Sequence, residues 1–215
     1  MTKPSAFTKI TVIADATDDY IPIIVDQTGS PLERIITHAN FLKDVTPIGI
    51  HDFWVGATGM WPSTTNGCAA LAKREIVSGV DIQTLNFDGA TDETAQFTIS
   101  LPRNFDNATI TFHVYWTSAT GTALTTIWDL SVLARSDNDP LNASYTDLTS
   151  VTDTWIANDD VHISPESADM TVTSHVDGDL IQFKINRDAT ADTATVDAEL
   201  IGIMLHITTD SAVAA

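Results

Sequence analysis

The sequence predicts an all-β chain: an antiparallel β-sandwich, jelly-roll-like, preceded by a short N-terminal attachment segment with a β and short-helix pattern. Three observations lead there. Threonine occurs 32 times in 215 residues and Val and Ile are abundant, while Glu, Lys and Arg occur only five times each. β-Branched side chains fit a pleated surface and lose rotamer freedom in helices. The 24 aspartates keep turn-forming company, as in Asp137-Asn138-Asp139-Pro140 and Asp177-Gly178-Asp179, where short carboxylates bond nearby backbone. Past residue 50, apolar and polar residues alternate with period two in runs separated by such turns, the pattern of a sandwich or barrel.

The elements follow in order. Residues 8–13 form a short β-like run. Residues 20–25 and 32–36 are strand candidates separated by the turn chemistry of 26–31, and Thr37 is a candidate N-cap for a short helix through Lys43. Pro47 and Gly49 mark a boundary, giving an attachment and oligomerisation segment over 1–48, a sandwich over 49–209 and a flexible tail over 210–215. So short a segment makes a poor core alone, and a partner chain is expected to complete it. In the sandwich, strands are predicted over 81–87 (with Ile82 off phase), 95–101, 108–116, 127–134, 170–173, 180–185 and 196–207. The expected core is Phe97, Ile99, Ile110, Phe112, Val114, Trp116, Leu130, Val132, Ile181, Phe183, Ile185, Ile201 and Ile203.

Charge and motifs exclude more than they name. A net charge of −19 argues against nucleic acid, which needs clustered Lys and Arg. No apolar run is long enough for a membrane-spanning helix. The residues at the start lack a signal-peptide core. Cys68 is the single cysteine, so there is no intrachain disulfide and no Cys-rich metal site. It sits in Asn66-Gly67-Cys68-Ala69-Ala70 and reads as a small buried residue rather than a nucleophile. His38, His51, His113, His162, His175 and His206 show no HxH or HxxxH spacing and read as independent residues. A structural calcium is a minority reading for Asp137, Asn138, Asp139, Asp159, Asp160, Asp177 and Asp179; turn conformation is the favoured one. No G-x-S-x-G, Walker or G-x-G-x-x-G motif occurs. The expectation is therefore no catalytic residue, no cofactor and no metal.

The five tryptophans are the remaining candidates. Trp116 falls on the core face of its strand, and the face of Trp128 is ambiguous. Trp54, Trp61 and Trp155 read as loop residues. Contacts between modules or subunits are favoured for these three over stacking platforms for sugar rings.

Two stretches carry a resemblance. Asp18-Asp19-Tyr20-Ile21-Pro22-Ile23-Ile24-Val25-Asp26, followed by Glu33-Arg34-Ile35-Ile36-Thr37-His38-Ala39-Asn40-Phe41-Leu42, resembles a segment near the N-terminus of many tailed-bacteriophage fibre and appendage proteins. Trp54-Val55-Gly56-Ala57, Thr84-Leu85-Asn86-Phe87-Asp88-Gly89, Tyr115-Trp116-Thr117, Asp160-Val161-His162-Ile163-Ser164 and the run from Phe183 to Asp188 are similar to a β-rich domain of phage tail fibres. The resemblance implies a structural virion protein, not an enzyme, held by its N-terminal segment. Its partners would be other virion proteins, further copies of itself, with a trimer favoured, and a host-surface glycan or protein. A capsid decoration protein or head fibre is the alternative. A glycan-binding module or carbohydrate-active enzyme is the second alternative.

Overall fold

The computed structural model describes residues 20–24, 33–37, 49–121 and 124–209. The chain divides into two compact units between Pro47 and Ile48. In the first, β1 (Tyr20–Ile24) and β2 (Glu33–Thr37) pair antiparallel, with Tyr20 opposite Thr37. Thr37 thus ends a strand; the run over 8–13, the helix expected through Lys43 and the tail over 210–215 lie outside the described residues.

The second unit is an antiparallel β-sandwich. Its strands are β3 (Gly49–Gly56), β4 (Trp61–Pro62), β5 (Ala72–Ile76), β6 (Val80–Phe87), β7 (Glu93–Ile99), β8 (Phe105–Thr117), β9 (Thr125–Arg135), β10 (Asp147–Thr154), β11 (His162–Ile163), β12 (Met170–Thr171), β13 (Leu180–Arg187) and β14 (Ala198–Thr209). One sheet has five strands in the order β10-β9-β13-β7-β4. The other has seven, in the order β11-β8-β14-β6-β5, with β12 paired to β8 and β3 to β14.

Alternation explains what lies between the sheets. Phe97 of β7, Phe183 and Ile185 of β13, and Leu130 and Val132 of β9 point inward from one sheet; Phe112, Val114 and Trp116 of β8 and Leu85 and Phe87 of β6 do so from the other. Phe87 meets Trp128 edge-on across the interior at 5.1 Å, the T-shaped geometry that aromatic quadrupoles favour. Trp128, ambiguous in sequence, is therefore core.

Two expected core residues stand differently. Ile99 is only partly buried, packed against the core from its edge. Ile201 is not core: the register of β14 against β8 shifts between Leu200 and Gly202. The extra residue of that bulge switches the inward positions from Ala198 and Leu200 to Ile203, Leu205 and Ile207. Strict alternation cannot foresee such an insertion.

Among the described residues, one ion pair has both side chains wholly buried. The Arg187 and Asp192 side chains are wholly buried, with Nε donating to Oδ2 at 2.9 Å. Nη1 of Arg187 donates to the carbonyls of Val196 and Phe87 at 2.7 and 3.1 Å, and Nη2 to that of Ala194 at 2.8 Å. The guanidinium thereby fastens the loop before β14 to the ends of β6 and β13. Burial pushes the Asp192 carboxyl above its usual range even with the guanidinium against it.

Candidate functional site

The outer face of the five-stranded sheet carries a polar row fixed by register. Lys184 of β13 lies opposite Gln96 of β7 on one side and Ser131 of β9 on the other; Gln96 lies opposite Trp61 of β4, and Ser131 opposite Leu148 of β10. Paired residues of antiparallel strands share a face, so these five project together, opposite to the buried Phe97 and Phe183.

The loop after β4 raises a wall beside this row. Ser63 and Cys68 both donate backbone N–H to the Thr94 carbonyl at 3.1 Å, and the Thr94 N–H returns a 2.7 Å bond to Asn66 O. Asn66 adopts the left-handed conformation (φ 52°), which asparagine tolerates. Gly67 packs so tightly that a Cβ there would lie 2.0 Å from Ser63 O. A larger residue at Gly67 would push the wall off β7.

Between wall and row is an open cleft of about 440 Å³, lined by Ser63, Thr64, Thr65, Asn66, Thr94, Gln96, Tyr145 and Lys184. Gln96 is held at both ends of its amide: Nε2 donates to Ser63 Oγ at 2.9 Å, and Oε1 accepts from the Tyr145 hydroxyl at 3.3 Å. Lys184 Nζ sits 5.0 Å from the centre of the Tyr145 ring, a cation–π contact. Burial raises the Tyr145 phenol above its ordinary value, so it stays a neutral donor at physiological pH. Trp61 flanks the row with 46 % of its surface exposed. The cleft thus offers hydroxyls, two amides, one ammonium and the Tyr145 ring, with Trp61 outside its lining, and that lining holds no carboxylate.

The residues weighed in sequence fall elsewhere. His113 and His206 meet edge-on at 5.1 Å, although 93 positions apart, and His206 Nδ1 lies 2.6 Å from Asp52 Oδ1. His162 is buried against Trp116, and His175 stands edge-on to Phe105. Among the described residues no group of three or more His, Cys, Asp or Glu side chains forms a metal-ligand set. Asp179 caps its turn by accepting from Val176 N and Ser136 Oγ, Asp139 accepts from Ser136 N, and Asp159 pairs with Arg74. Cys68 is buried, and desolvation, helped by Glu93, pushes its thiol up to about 12; so protonated a sulfur is no nucleophile.

Trp54 and Trp61, expected in loops, belong to β3 and β4, and Trp155 directly follows β10. Gln96, Tyr145 and Lys184 carried no signal in the sequence. Only long-range pairing assembles them, although the pattern A-Q-F-T-I-S-L already placed Gln96 opposite the core face.

No known protein family and no curated protein sequence matches this chain. Among solved structures it is similar to the CBM36-1 domain of a multidomain xylanase from the hindgut metagenome of Trinervitermes trinervoides, with TM-score 0.39 and 11 % identity over 72 % of this chain and 96 % of that one. It is also similar to CBM28, a carbohydrate-binding module specific for non-crystalline cellulose, with TM-score 0.38 and 16 % identity over 71 % of this chain and 86 % of that one. These are distant likenesses, and what those modules bind is a property of those modules.

Proposed function

We propose that the chain is a non-catalytic binding protein whose cleft over β7 and β13 takes a neutral glycan. One observation carries this reading: the cleft sets hydroxyls and amides, with the single ammonium of Lys184, beside the Tyr145 ring and has no acid in its lining. A sugar presents closely spaced hydroxyls along its edges and C–H faces above and below. Gln96, Asn66 and the Ser63–Thr65 hydroxyls answer the first, and Tyr145 the second, with the exposed Trp61 beside the cleft, opposite Gln96 on β4. The absence of paired carboxylates from the lining leaves glycoside hydrolysis there without its acid and base. A net charge of −19 disfavours polyanionic chains, and the one charge in the lining, the Lys184 ammonium, sits against the Tyr145 ring. A glycan array probed with the full chain tests the reading. Binding to one or more neutral oligosaccharides supports it, and binding to none refutes it.

The sequence resemblance supports a second, compatible reading, in which the chain is a phage virion appendage that displays this module. The separate N-terminal unit favours it, since attachment and recognition would then occupy different parts of the chain. Self-association through residues 1–50, a trimer by the same resemblance, would appear in light scattering as a mass above that of one chain, rising with salt as self-repulsion is screened. A monomer at low and physiological salt, with residues 1–50 resistant to protease, would exclude it.

A further inference from the structure

Strand β5 is the last strand of the seven-stranded sheet, outside β6, and among the described residues its far edge has no partner strand. An open edge presents a row of backbone N–H and C=O groups that another strand can complete. Side chains alternate along this edge. Leu71, Lys73, Glu75 and Val77 are exposed, Leu71 by 43 % and Val77 by 86 %, while Ala72, Arg74 and Ile76 on the opposite face are half-buried. From Leu71 to Val77 the chain therefore reads apolar, apolar, basic, Arg74, acidic, apolar, apolar. Read backwards from Arg74, the pattern is the same with the flanking charges reversed.

Such a strand is complementary to itself. When an identical strand runs antiparallel with Arg74 on the two-fold axis, Lys73 faces the second copy's Glu75, and Glu75 faces its Lys73. Ala72 faces Ile76, and one step past the strand Leu71 comes level with Val77. Opposite charges and apolar side chains set directly across an antiparallel ladder are the stabilising pairs. Glu75 has no cation of its own among the described residues: it lies opposite Asp81 of β6, and the neighbouring Lys73 bonds Asp81 at 2.7 Å. The two Arg74 side chains at the axis bring their own counter-charges, Glu199 at 2.8 Å and Asp159. A chain of net charge −19 repels its copies over most of its surface. Residues 71–77 carry two cations against one anion, so approach along this edge escapes that repulsion.

We propose that a second copy of this chain docks here, β5 against β5 about a two-fold axis, joining two seven-stranded sheets into one. The proposal does not rest on the glycan reading or on residues 1–50, and each can fail alone. Sedimentation equilibrium of the full chain tests it. The mass should rise from one chain toward two over about 5–500 µM, the range for a small and partly polar interface. Lys73→Glu sets two like-charged pairs across the axis, as does Glu75→Lys, and each variant alone should weaken dimerisation about tenfold or more. Both side chains are exposed, so neither change should move the melting temperature by more than a little. Mixed in equal amounts, the two variants present complementary strands, and dimerisation should return. A monomer throughout the range overturns the proposal. So does undiminished association of either variant alone, which would place self-association elsewhere on the chain. A mixture that fails to recover the mass overturns it too, since the antiparallel register requires the rescue.

Discussion

Replacing Arg187 with methionine keeps the bulk of the side chain and removes its charge and donors. The guanidinium is fully buried and makes four bonds, one to Asp192 and three to the carbonyls of Phe87, Ala194 and Val196. Breaking a buried ion pair from one side costs about 3–5 kcal/mol, because the other charge stays behind unpaired. The carbonyls add at least about 1 kcal/mol if even one is left unsatisfied. The expected loss is therefore about 4–6 kcal/mol, against a total stability of about 5–15 kcal/mol for a domain of ordinary size. Urea unfolding followed by tryptophan fluorescence measures it, since Trp116 and Trp128 are buried in the same core. The midpoint should collapse or the variant should fail to fold. A loss under about 1 kcal/mol would refute the claim that this pair organises the loop before β14. The pair also carries a pH signature. The folded chain holds the Asp192 proton to higher pH than the unfolded chain, so it binds more protons in that window. Stability through this group therefore falls as pH rises from the ordinary aspartate range through the folded-state value, and Asp192→Asn should abolish that slope.

Three further outcomes follow from single side chains. Phe112→Ala, which empties a fully buried ring site between the sheets, should cost about 3–5 kcal/mol in the same assay; a cost below about 1 kcal/mol would remove Phe112 from the core. Cys68, with its thiol pushed up to about 12, should resist iodoacetamide at pH 8 in the native protein and react only on unfolding; rapid native labelling would contradict its burial. Asp88 accepts bonds from the Ala90 and Thr91 amides, the Ala90 bond being the largest effect holding its carboxyl below the usual range. In that window the unfolded state binds more protons, so this contribution is present above the ordinary aspartate value and lost as pH falls through the folded one. Asp88→Ala should thus destabilise at neutral pH, with the difference from the natural protein vanishing in acid. A pH-independent difference would contradict the assignment.

The parts of the structure that were legible in the sequence are those governed by local pattern. Strands β7, β8 and β13 follow the alternation of Phe97, Phe112 and Phe183, because each buries chiefly one face, while β9 keeps the same sequence alternation although both its faces are covered from Trp128 to Ala134. Where a local irregularity intervenes, the pattern misleads: the bulge in β14 turns Ile201 out. Strand β4 has two residues and no period to read, so Trp61 looked like a loop residue. The cleft was illegible for a different reason. Gln96, Tyr145 and Lys184 are ordinary polar residues until strand order places β13 beside β7, and no local signal encodes that neighbour. Nothing in the sequence marks Arg187 and Asp192 as a pair, since composition cannot tell a solvated pair from a buried one.

A neutral glycan bound in the cleft on the five-stranded sheet would rest on the Tyr145 ring and the Gln96 and Asn66 amides, with Trp61 beside them. The most direct measurement is calorimetric titration of the tightest neutral oligosaccharide from the array into the natural protein, Trp61→Ala and Tyr145→Ala, with product analysis of the recovered sugar. Binding should change little with salt, since the ligand carries no charge. Tyr145→Ala, which loses a ring face and a hydroxyl, should weaken affinity about tenfold or more. Trp61→Ala should weaken it less, and the sugar should be recovered intact. Unchanged affinity in both variants, or cleavage of the oligosaccharide, would contradict it.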